Sequence, residues 1–418
     1  MSESSGRFLI TSLMALGLPA LAQAQAGHEL PDGAGKELVQ AACVACHETD
    51  LIVASNGYTN ERWRHLMSKM IDLPESLASD IAQYLATNFP ENDALLPTLI
   101  AGDTEITFQE WTVPTLGQRP RDPLMTLDGM VWWAGMFGSL VGRLDPKTGE
   151  MTEFLLDPTA RPHSIIDDVA GNIWYTGNSN SSMGMLDPVT GEITVYLMPD
   201  PAARDPHTPA FTPSGDLWFT VQNSNMLGRL VPDTGDIRLI TMPTEGARPY
   251  GIKVDSKGTI WVAYRGSNAI AKVDPDSWEV TEYRTPNPNP ESHHGNYYIR
   301  RLALASDDTI WYVDSGRGYI GRLNPDTGET KEWPSPSGPR SHPYAIEVID
   351  GIVWYNESDQ RPDALVRFDP ATEVFQSWAV PSGIGIIRNM RATPDGNLVI
   401  HQSSTNTVGL VMIADNES

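Results

Sequence analysis

Gly142-Arg143-Leu144-Asp145-Pro146-Lys147-Thr148-Gly149 is one copy of a unit that recurs along the chain. Variants run from Gly184 to Gly191, Gly228 to Gly235 and Gly321 to Gly328, and looser copies start at Ala271 and Val366. Asp-Pro-x-Thr-Gly is hairpin-turn chemistry: Pro presets φ and Gly supplies a positive φ. Ahead of these copies stand tryptophans after a Gly- or Asp-containing turn, at Trp132, Trp174, Trp218, Trp261, Trp311 and Trp354, with Val399 in the seventh place. Their spacings are 42, 44, 43, 50, 43 and 45 residues. A period of about 40–45 residues fits one four-stranded blade, and seven of them predict an all-β seven-bladed β-propeller over 107–418.

Most blades end in an outer strand such as Thr152-Glu153-Phe154, Thr194-Val195-Tyr196, Thr281-Glu282-Tyr283 or Gln376-Ser377-Trp378. The seventh has none after it. Its counterpart is Gln109 to Pro114, so an N-terminal strand is expected to complete the last blade and hide the sheet edges.

Before the propeller lies Cys43-Val44-Ala45-Cys46-His47, which holds the chain's only 2 cysteines. Thiols at i and i+3 can form thioethers with the two vinyl groups of a haem, and the following histidine reaches the iron. A disulfide leaves His47 unexplained, and a structural zinc site lacks a fourth ligand. One covalent haem c is the reading.

Residues 27–90 read as short helices, with Leu77, Ile81, Tyr84 and Leu85 at helical spacing before Pro90. On these residues the segment resembles a class I cytochrome c, a small all-α domain. Between its helices, Trp63 to Asp72 offers Met70, Met67 and His65 as the iron's sixth ligand. The resemblance points to Met70. His/Met ligation raises the potential and suits electron transfer.

The first 26 residues have the layout of a secretory signal peptide: Arg7, an apolar run from Phe8 to Leu21, then Ala22-Gln23-Ala24-Gln25-Ala26. Export and haem c together predict the periplasm, and no later stretch is long and apolar enough to span a bilayer. Residues 91–106 form a linker. A formal net charge of −24 and a pI near 4.6 exclude nucleic-acid and anionic-membrane binding as leading readings. They permit docking to a soluble or membrane redox partner.

Pro249 to Ile252, Gly215 to Thr220 and Ile320 to Leu323 resemble segments of the streptogramin B (virginiamycin B) lyases, seven-bladed propellers that linearise cyclic depsipeptides by elimination with magnesium. The resemblance covers about 300 residues and implies the scaffold. It does not carry the activity. At the lyases' four catalytic places, in blade order, this chain has Tyr344, Ile386, Arg388 and Ser403 instead of two histidines and two glutamates.

The lyase histidines lie ten or eleven residues before the blade tryptophan. That register here collects Arg121, His163, His207, Tyr250, Arg300, Tyr344 and Arg388, none of them aliphatic. Arg121, Arg300 and Arg388 suit an anionic substrate, and His163, His207, Tyr250 and Tyr344 are candidate acids, bases or hydrogen-bond partners. A solvated funnel wall is the plainer alternative. Three residues after the tryptophan place, Asp314 and Glu357 are adjacent-blade carboxylates that can hold Mg or Ca, or else pair with Arg300. His293 and His294 sit in the insertion behind the 50-residue spacing, and His342 lies two residues before Tyr344.

The expected function is a haem-linked periplasmic oxidoreductase that takes a small anionic or phenolic substrate at the propeller mouth. It would pass electrons through haem c to a respiratory carrier. Two rivals stand beside it: a lyase or lactone hydrolase with an accessory haem domain, and a non-enzymatic electron-transfer subunit.

Overall fold

The computed structural model describes residues 29–44, 49–286, 298–383 and 385–414. The expected signal peptide, Cys46, His47, His293 and His294 lie outside the described residues.

Seven four-stranded antiparallel sheets form the propeller. The six tryptophans occupy the second strand of blades 1 to 6, and Val399 lies on the corresponding strand, Leu398–Gln402, of blade 7. Alternation along a strand sends neighbouring residues to opposite faces. Trp132 therefore packs with Ile165 and Ile173 of blade 2, while Trp133 packs with Val399 and Val408 of blade 7. The apolar core lies in such layers between adjacent blades.

The repeated glycine has a packing cause. Gly142, Gly184, Gly228 and Gly321 pair across the strand with Trp133, Tyr175, Phe219 and Tyr312. A Cβ on Gly142 would sit 2.0 Å from the Trp133 ring, and one on Gly184 2.0 Å from Tyr175. The large ring thus excludes any side chain opposite it. In the following turn, the Asp145 carboxylate accepts the Lys147 amide at 2.8 Å, and the Gly149 amide donates to the Asp145 carbonyl at 2.8 Å.

Blade 7 is completed from the other end of the chain, as expected. Strand Ile106–Thr112 pairs antiparallel with Thr407–Ile413, placing Trp111 opposite Val408.

Ahead of the propeller are four helices: α1 (Lys36–Cys43), α2 (Thr49–Ala54), α3 (Asn60–Ser68) and α4 (Glu75–Asn88). Thr59 caps α3 by accepting the Arg62 amide at 3.1 Å. The helices share their own apolar cluster around Val39, Trp63, Leu66, Ile81 and Leu85. The segment after α4 runs along blade 6: Arg361 donates its amide to the Leu95 carbonyl at 2.6 Å, and the Ile100 amide donates to Ser377 Oγ at 2.9 Å. Among the described residues no helix is long and apolar enough to cross a membrane.

Candidate functional site at the propeller mouth

In five blades the pairing of the first and second strands slips at the register singled out from the sequence. The slips fall between Arg121 and Leu124, Pro206 and Pro209, Pro249 and Ile252, Ile299 and Leu302, and Pro343 and Ile346. A bulge re-aims side chains and frees two successive residues from strict alternation. The ring residues accordingly meet across blades.

The His163 and His207 rings lie 3.7 Å apart, centroid to centroid, and His207 and Tyr250 lie 4.0 Å apart. The Tyr250 and Tyr344 hydroxyls are 2.5 Å apart. The Arg300 guanidinium stands 4.3 Å from the Tyr344 ring centroid, and Arg388 Nη1 donates to the Tyr344 hydroxyl at 3.4 Å. His163, His207, Tyr250 and Tyr344 are all buried. The plain reading of a solvated wall does not describe these side chains.

Burial pushes the Tyr344 hydroxyl upward, but Arg300, Arg388 and Arg121 outweigh it and hold the group well below the ordinary tyrosine value of 10.0. Tyr250 moves the other way, raised by burial and by its charged neighbour Tyr344. The opposite shifts make Tyr344 the more acidic hydroxyl of the pair. Burial, reinforced by nearby cations, holds His163 and His207 well below the imidazole range, so both are neutral. Arg121 is pulled down to about 10 by burial and by Arg388.

Nε of Arg121, Arg300, Arg388 and Arg265, and Nδ1 of His163, are buried without a hydrogen-bond partner. Several orphaned donors on one mouth define a place for an acceptor-rich anion.

An ultraviolet titration should therefore show one tyrosine ionising below the usual range, and Tyr344→Phe should remove it. A depressed phenol pKa contributes stability above the unfolded value of 10.0 and loses it as pH falls through the folded value. The stability gap between wild type and Tyr344→Phe should therefore widen as pH rises toward 10. A wild-type titration with only ordinary tyrosines refutes this assignment.

Two important residues escaped the sequence reading. Arg301, on blade 5, donates through Nη2 to both Asp122 oxygens of blade 1 at 2.9 Å. It also donates to Thr208 Oγ1 of blade 3 at 3.1 Å and to the Arg388 carbonyl of blade 7 at 3.2 Å. Strict alternation would have turned Arg301 away from the axis if Arg300 faced it; only the bulge admits both. His401 is buried and accepts the Arg388 and Asn389 amides on Nε2 at 3.2 and 3.3 Å, which fixes the Arg388 turn. Its place two residues after Val399 gave no signal.

Asp314 and Glu357 are each engaged by protein donors. Asp314 binds Arg317, whose Nε donates to Oδ2 at 2.6 Å, while the Gly316 and Arg317 amides take Oδ1. Glu357 accepts from the Ser335 hydroxyl at 2.6 Å, the Ser337 amide at 2.9 Å and the Ser337 hydroxyl. Asp314 is engaged by a turn of its own blade and Glu357 by the connection from blade 5 to blade 6, and neither pairs with Arg300. Among the described residues no group of three or more His, Cys, Asp or Glu side chains is placed to hold a metal ion. His342 joins the rim, its ring 6.0 Å from Tyr344 and 3.8 Å from the Asp359 carboxylate.

Between the helices and the mouth lies a cavity of about 360 Å³. Cys43, Trp63, Met67 and Met70 line one wall, and Arg119, Arg361 and Arg388 line the other. His65 is absent from this wall and faces a separate groove beside Arg64 and Glu75. Gly117 docks Met70 here: its amide donates to the Lys69 carbonyl at 3.0 Å, and a Cβ on it would lie 2.8 Å from the Met70 carbonyl oxygen.

Fold and site together define a seven-bladed β-propeller whose mouth carries a buried Tyr–Tyr–Arg cluster. Among solved structures, the chain is similar to virginiamycin B lyase from Staphylococcus aureus, with TM-score 0.66 and 23% identity over 74% of this chain and 100% of that one. A streptogramin B lyase structure gives TM-score 0.65 and 23% identity over 74% and 98%. Kuenenia stuttgartiensis hydrazine synthase gives 0.59 and 14% over 73% and 97%. At these identities the likeness shows the fold alone. No protein-family profile and no curated protein matches the chain.

Proposed function

We propose that the chain is an exported c-type haem–propeller oxidoreductase of the periplasm, acting on a small anionic or phenolic substrate at the mouth. The cavity carries this reading: its helical wall holds Cys43 and Met70, and its propeller wall holds Arg388, itself bonded to Tyr344. The wall fits a haem. It is apolar on the helical side, it holds a thiol and two thioethers, and the buried Trp63 Nε1 on it has no partner.

Cys43 and Cys46 would attach the haem, and His47 and Met70 would ligate its iron. When bound, haem c supplies one-electron transfer to a soluble or membrane carrier. In the mouth, Arg121, Arg300 and Arg388 bind and orient the substrate's negative charge. Tyr344 takes a proton from a phenolic or acidic hydroxyl, and Tyr250 donates its hydrogen bond to the same oxygen. Neutral His163 and His207 extend the wall beside Tyr250.

Anaerobic addition of organic acids and phenols tests the proposal. One class should reduce the haem, and Tyr344→Phe should slow that reduction by about 10²- to 10⁴-fold, the usual contribution of a positioned base. Met70→Ala should remove methionine-ligand charge-transfer absorption and lower the potential. The lyase reading rests on the shared scaffold, and efficient magnesium-dependent linearisation of a type B streptogramin would establish it instead. Tyr344, Ile386, Arg388 and Ser403 at the four lyase places predict an intact ring.

A further inference from the structure

We infer that Arg119 and Arg388 of the propeller pair with the carboxylate groups of the haem, so that the propeller completes the haem pocket. The inference rests on the haem reading above and concerns which residues face the group's charged edge.

The cavity is divided by chemistry. Its helical wall is mostly apolar, with Ile52, Leu66, Met67 and Leu85 beside the polar atoms of Ser55, Tyr58 and Trp63, whereas its propeller wall presents Arg119, Arg361 and Arg388. Among the described residues no aspartate or glutamate lines it, although the chain carries 53 acidic residues against 29 basic ones. Concentrating cations in a half-buried space without a counter-charge is costly unless an anion arrives with the occupant. Burial lowers the Arg119 guanidinium, and Arg121 and Arg388 lower it further, more than Tyr344 and Tyr250 raise it.

The unpartnered donors agree. Nε of Arg361, Nε of Arg388 and Nε1 of Trp63 are buried without hydrogen bonds, and all three residues line this cavity. Arg361 is held against the helices by stacking 5.2 Å from the Tyr58 ring centroid. An occupant with a flat apolar body and two carboxylates satisfies both walls at once, and a haem has that shape and charge. Planar guanidinium forks suit carboxylates better than point charges do. Because Arg388 also donates to the Tyr344 hydroxyl, one side chain would touch both the haem edge and the substrate mouth.

The midpoint potential of the purified full-length protein decides the matter. Ferric haem carries one more positive charge than ferrous haem, so a nearby arginine favours reduction. Arg119→Ala and Arg388→Ala should each shift the redox equilibrium toward the oxidised form on the order of tenfold, which is about 59 mV for a one-electron couple. Arg→Lys at either place should restore part of the shift. Arg322→Ala, on an exposed strand position of blade 5, should leave the potential unchanged and controls for net charge.

Unchanged potentials in Arg119→Ala and Arg388→Ala, with the methionine-ligand band retained, would overturn the inference while leaving the haem reading intact. Absence of a covalent haem spectrum in the exported protein would overturn the haem reading, and this inference with it.

Discussion

Arg301→Ala should lower the unfolding free energy of the propeller by about 3–5 kcal/mol, the usual cost of orphaning one member of a buried ion pair. The Arg301 side chain is 4% exposed and its Asp122 partner 0%. Removing the guanidinium would leave a fully buried carboxylate without its bidentate partner. The pair also reaches across the axis, since Asp122 belongs to blade 1 and Arg301 to blade 5. Its loss therefore unties elements that share no strand ladder.

Denaturant unfolding of wild type, Arg301→Ala, Asp122→Ala and the double variant measures the term directly. The double variant should be more stable than the sum of the singles implies, because neither charge is then stranded. Arg301→Lys should recover little, since one ammonium cannot bond both Asp122 oxygens, Thr208 and the Arg388 carbonyl together. A loss below about 1 kcal/mol in Arg301→Ala would mean that strand closure alone holds the ring.

The second large effect falls on ligand binding. Removal of Arg121, Arg300 or Arg388 should weaken anion affinity by roughly ten- to a hundredfold, since a desolvated Arg–carboxylate contact contributes about 1.5–3 kcal/mol. The side chains reach the mouth from blades 1, 5 and 7, and each has a buried Nε without a partner. In a chain of net charge −24, such a cluster works against the overall field only locally. Calorimetry with a bound organic acid, on wild type and the three single Ala variants, reads the effect. Equal affinities in correctly folded variants would assign the arginines to holding Tyr344 alone. Arg388→Ala carries a further cost, because the Tyr344 hydroxyl loses a donor.

The propeller was legible in the order of residues alone. Hairpin chemistry at Asp145-Pro146-Lys147-Thr148-Gly149 and tryptophans at a blade-sized period are local signals, and local geometry repeats wherever they repeat. Closure by the strand before blade 1 was legible for the same reason: one outer strand was missing at one end and spare at the other. The ring from Arg121 to Arg388 was also legible, because blade symmetry carries one position into seven.

The remainder lies where the blade symmetry breaks. The bulges turn both Arg300 and Arg301 inward, a departure from period-two alternation that leaves no mark in composition. Asp314 and Glu357 looked like a shared cation site from adjacent blades, but each is taken by nearer donors, Arg317 in one case and Ser335 and Ser337 in the other. His401 fixes the Arg388 turn through backbone amides, which no side-chain pattern encodes. The cavity joining Met70 to Arg388 depends on how Gly117 docks the helices onto blade 1. Contacts between residues hundreds of positions apart are set by packing, and packing is a property of the folded chain rather than of any segment of it.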